Sequence, residues 1–74
     1  MQDEIEAIRR EIEEYKARQA EVQARIRALQ AEEDPTAGVF KAEEIHETKQ
    51  EKLRLDFEIQ YRNAKINRLR FGGE

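Results

Sequence analysis

Asp34-Pro35-Thr36-Ala37-Gly38 is the one stretch inside this 74-residue chain that holds helix breakers. Proline cannot continue a helix, and glycine readily takes the left-handed conformation of a turn. The stretch divides the chain into two segments of nearly equal length, 3–33 and 41–71, with a turn at 34–40. At 1.5 Å per residue each segment would make a helix about 45 Å long. Gly72 and Gly73 stand where the second helix should close. Equal helices around a short turn are what an antiparallel hairpin requires, so residues 1–74 read as one all-α, coiled-coil-like domain.

The first segment keeps a heptad rhythm. Ile5, Ile8, Ile12, Tyr15, Gln19, Val22, Ile26 and Leu29 are spaced alternately three and four apart, and only Gln19 is polar. A pattern sustained over almost four heptads marks a coiled-coil seam, and one polar member of a seam fixes register or partner number. Ala17, Ala20, Ala24, Ala28 and Ala31 form a neighbouring small-residue face.

Two stripes run along the second segment. Ile45, Leu55, Ile59, Ile66 and Leu69 make one of them. Leu53, Phe57, Tyr61, Ala64 and Phe71 make the other, on roughly the opposite side at about 100° per residue. A helix in an isolated hairpin has one neighbour and needs one stripe. The second stripe is therefore expected to be a protein interface, with its aromatic members as hot spots. Seam positions that face each other should sum to about 74, which sets Ile5 near Leu69, Ile8 near Ile66, Tyr15 near Ile59 and Leu29 near Ile45.

Composition narrows the function. The charged fraction is 42%, dominated by Glu, Arg and Lys among Ala, Gln, Ile and Leu, which suits long helices. A chain this short rarely stabilises itself by more than roughly 3–5 kcal/mol without a staple. With no cysteine and a single histidine, neither a disulfide nor a Cys/His zinc site is on offer. Association with copies of itself is the expected remedy, most simply a homodimeric four-helix bundle. No apolar run approaches the roughly 20 residues that span a bilayer. The start, Met1-Gln2-Asp3-Glu4, is acidic where secretory signals are basic. A cytoplasmic location is expected, with no membrane partner.

Catalysis needs convergent groups. The chain has no serine, no cysteine and no glycine-rich phosphate loop, and its only hydroxyls are Thr36, Thr48, Tyr15 and Tyr61. It is read as a non-enzyme without a cofactor, acting as a scaffold, adaptor or inhibitor through protein contacts with itself or another protein. Glu43 and His46 have the Glu-x-x-His spacing of a di-metal bundle ligand pair, but glutamate is so common here that a surface histidine is the simpler reading. The alternative function is binding of an anion, either nucleic acid or a small nucleotide. Net charge is −4 over residues 1–34 and +1 over 35–74, and Arg62, Lys65, Arg68 and Arg70 crowd the end of the second helix without an acid between them. Those four are the candidate anion contacts.

Overall fold

The computed structural model describes residues 2–72. Gly73 and the chain ends Met1 and Glu74 lie outside the described residues. Helix α1 runs over Gln2–Glu32 and helix α2 over Ala42–Phe71, with a 3₁₀ turn at Pro35–Ala37 between them. The molecule is an all-α two-helix hairpin whose helices contact each other, with no strand among the described residues.

The turn is closed by short-range bonds. The Asp34 backbone is extended, and its carboxylate accepts from the Ala37 amide at 3.3 Å. Pro35 occupies the first helical position, where its missing N–H leaves no bond unmade. Gly38 has φ of +77°, a conformation a side chain would strain. Asp34 and Val39 then exchange backbone hydrogen bonds at 2.9 and 2.8 Å. Across the turn the Glu33 carboxylate accepts from the Lys41 amide at 3.2 Å, close to where α2 begins. At the far end Gly72 donates to the Arg68 carbonyl at 3.0 Å with φ of −103°, so no left-handed residue is needed there.

All eight members of the α1 seam are covered. Ile5, Ile8, Ile12, Val22, Ile26 and Leu29 are buried, and Tyr15 and Gln19 are half-buried. Eight covered positions of α2 follow the same alternation of threes and fours, Ile45, Thr48, Lys52, Leu55, Ile59, Arg62, Ile66 and Leu69, with Asp56, Glu58 and Lys65 half-buried beside them. Five of the eight belong to the apolar stripe read from sequence, and Thr48, Lys52 and Arg62 fill the gaps. Thr48 can be buried because its hydroxyl donates to the Glu44 carbonyl one turn back, at 2.7 Å.

The core falls into two clusters. Ile5, Ile8, Ile12 and Ile66 form one with Ile59 and Leu69, while Val22, Ile26 and Leu55 form the other with Tyr15. Between Tyr15 and Val22, within the span of the second cluster, Gln19 donates from its amide to the Asp56 carboxylate of the other helix.

Candidate functional site

The candidate interface is built by α2 alone. Positions 53, 57, 61, 64 and 71 recur every three, four or seven residues, so one helix face carries them all. The seam occupies the other face, so Phe57, Tyr61 and Ala64 point away from α1, while Leu53 stands at the rim of a groove it shares with Gln23 and Ile26. Phe57 is 63% exposed, Tyr61 59%, Phe71 72% and Leu53 49%. Ala64 is exposed as well. Large apolar groups set together on one exposed face mark an interaction surface more often than scattered ones do. Phe40, in the turn, is 69% exposed and was not among the candidates; being isolated from any periodic pattern, it gave no signal in the sequence.

The four candidate anion contacts stand in different surroundings. Arg62 belongs to the seam. Its Nε lies 3.1 Å from the Glu11 carboxylate, and its Nη1 lies 2.6 Å from that of Glu58. Its guanidinium also sits over the Tyr15 ring, 4.5 Å from the centroid. The Glu58 hydrogen bond raises the Arg62 pKa above its ordinary value, burial opposes the rise, and Glu11 and Tyr15 add to it. Arg62 is thus held charged by groups of its own chain. Lys65 is half-buried, whereas Arg68 and Arg70 are exposed, with Arg70 stacked 4.9 Å from the Phe71 ring centroid.

Glu43 and His46 are exposed at the start of α2. Among the described residues no three His, Cys, Asp or Glu side chains converge as a metal site would require. The alanine face of α1 is exposed along its length. No helix among the described residues is long and apolar enough to cross a membrane.

Comparison with protein-family models, with curated proteins and with solved structures found no match.

Proposed function

We propose that this chain is an antiparallel coiled-coil hairpin that pairs with a second copy through the outer face of α2, and that the assembly acts in the cytoplasm as a non-enzymatic scaffold, adaptor or inhibitor. Contacts of Glu11 with Arg62, Gln19 with Asp56 and Glu32 with Lys41 support the antiparallel direction, since one number rises as the other falls. Their sums lie near 74.

The observation that carries the pairing is the exposure of Leu53, Phe57, Tyr61 and Phe71 on the side of α2 that faces away from the seam. The hairpin alone also has a thin core: among the described residues no side chain is buried beyond 98%. Charge favours a second copy as the occupant. Two α2 helices running in opposite directions with their centre between Phe57 and Glu58 bring Glu47 near Arg68 of the other copy, a contact made twice. Such pairs add little affinity but fix direction. Because the stripe lies opposite the seam, the four helices of this bundle would stand in a row with both α2 helices in the middle.

Light scattering of the purified chain across a range of concentrations tests the reading. A dimer is expected, and Phe57→Glu should reduce it to a monomer of unchanged helicity. A wild-type monomer at high concentration, or a Phe57→Glu variant that keeps the dimer mass, would refute the pairing.

A further inference from the structure

We infer that one broad side of the hairpin, flanking the seam, binds the phosphate backbone of a duplex nucleic acid. Two seven-residue rows build this side. On α1 the row is Arg9, Lys16, Gln23 and Gln30, and on α2 it is Lys49, Asp56, Asn63 and Arg70. Residues seven apart share a helix face. The rows meet in two shallow grooves of about 530 Å³ each. Arg9 and Lys16 line the first with Glu13, Asn63, Asn67 and Arg70, over a floor of Ile12 and Ile66, so three cations there meet one carboxylate. Gln23 and Gln30 line the second with Lys49, Lys52 and Asp56, over Ile26.

The rows on the other side of the seam have the opposite sign. They are Glu4, Glu11, Arg18, Arg25 and Glu32 on α1, with Glu44, Glu51, Glu58 and Lys65 on α2. The first side carries +3 and the second −3. The chain's small net charge conceals this polarity.

The two sides also use their charges differently. On the acidic side Arg62 reaches Glu11 and Glu58, and Arg25 shares a groove with Glu44, Glu47 and Glu51. On the basic side the one carboxylate of the rows, Asp56, already accepts from Gln19. Lys16 meets Glu13 at 3.8 Å with both side chains largely exposed. Arg9, Lys49 and Arg70 make no salt bridge among the described residues. The seam itself does not need these unpaired cations. A line of phosphates does.

Three further observations favour a duplex. The Cα atoms fill a volume 60 × 17 × 11 Å, and side chains add to the thickness. The acidic side is thus more than a Debye length of about 8 Å from a ligand on the basic side, so its repulsion is screened. From Lys49 to Arg70 the cations extend about 32 Å at 1.5 Å per residue. One duplex turn is about 34 Å. No aromatic ring lines either groove, so the stacking platform that single strands use is missing, while the amides can donate to phosphate and sugar oxygens. A duplex also carries one charge per about 1.7 Å, far denser than an acidic polypeptide. This surface borders the outer face of α2 at two points: Leu53 lines the second groove, and Arg70 stacks on Phe71.

The test is fluorescence anisotropy of a labelled duplex of about 20 base pairs with the full chain between about 50 and 200 mM salt. With Arg9, Lys16, Lys49, Lys52 and Arg70 on phosphates, the log–log salt slope should be about −4.5, a loss of about 500-fold across that range. The double variant Arg9→Glu, Lys49→Glu should shrink the slope by about 2 and weaken binding at least tenfold at the lower salt. Arg25→Glu, on the acidic side, should leave the slope unchanged, with helicity matched by circular dichroism. The proposal is overturned by no binding at low salt, or by equal losses in the two variants. It is overturned too by a single strand that binds more tightly than the duplex, or by displacement of the duplex by polyglutamate of equal charge.

Discussion

The two helices cover equal numbers of seam positions with different materials. In α1 seven of the eight are apolar and six of them are buried. In α2 three of the eight are polar, and only Ile45, Leu55 and Ile66 are buried apolar groups. The outer faces reverse the contrast. Beyond its seam α1 shows alanines, whereas α2 shows Leu53, Phe57, Tyr61 and Phe71. A helix with one neighbour concentrates its large apolar residues on one side. Dividing them between two sides, as α2 does, weakens the first contact and suits a helix with two neighbours. Apolar content alone would not separate these cases; the placement does.

The largest expected effect would come from the α1 seam. Ile26 is 3% exposed, and Ile26→Ala should cost about 2–4 kcal/mol in chemical denaturation. Leu53→Ala on the outer face of α2, measured at a concentration where the chain is monomeric, should change stability by less than about 0.5 kcal/mol. Equal losses would erase the distinction between seam and outer face.

A smaller effect sharpens the same contrast from the other helix. Lys52 is half-buried at a seam position and makes no salt bridge among the described residues. Lys52→Leu should therefore stabilise the hairpin, by at most about 1 kcal/mol, and raise its denaturation midpoint. Destabilisation instead would show that the polar members of the α2 seam hold the register and are not merely tolerated.

Much of the fold was legible because its signals are local or periodic. Asp34-Pro35 and Gly38 fix the turn through backbone chemistry, and the α1 heptads name their own covered residues. The observed helices begin or end one residue from the expected bounds at Gln2, Glu32 and Ala42. The gaps in the α2 seam were not legible. Thr48, Lys52 and Arg62 break an apolar pattern, and only continuing the three-four alternation from Ile45 to Leu69 through them would have found them. Arg62 shows the cost of reading charge without geometry: the C-terminal run looked like one cationic cluster, yet its first member is bound to Glu11 and Glu58. The basic side had a seven-residue signal in Arg9, Lys16, Lys49 and Arg70. It was hidden because its residues are shared between two helices far apart in sequence.

The division of the core into two clusters gives the rod a consequence for how it opens. The cluster of Val22, Ile26 and Leu55 lies toward the turn, where the continuous chain and the Asp34–Val39 bonds hold the helices together. The cluster of Ile5, Ile8, Ile12 and Ile66 has no backbone tie and is held across the helices by side chains, among them the Glu11–Arg62 pair. Separation should begin at the end away from the turn, so amide hydrogens of residues 5–12 should exchange before those of 22–29.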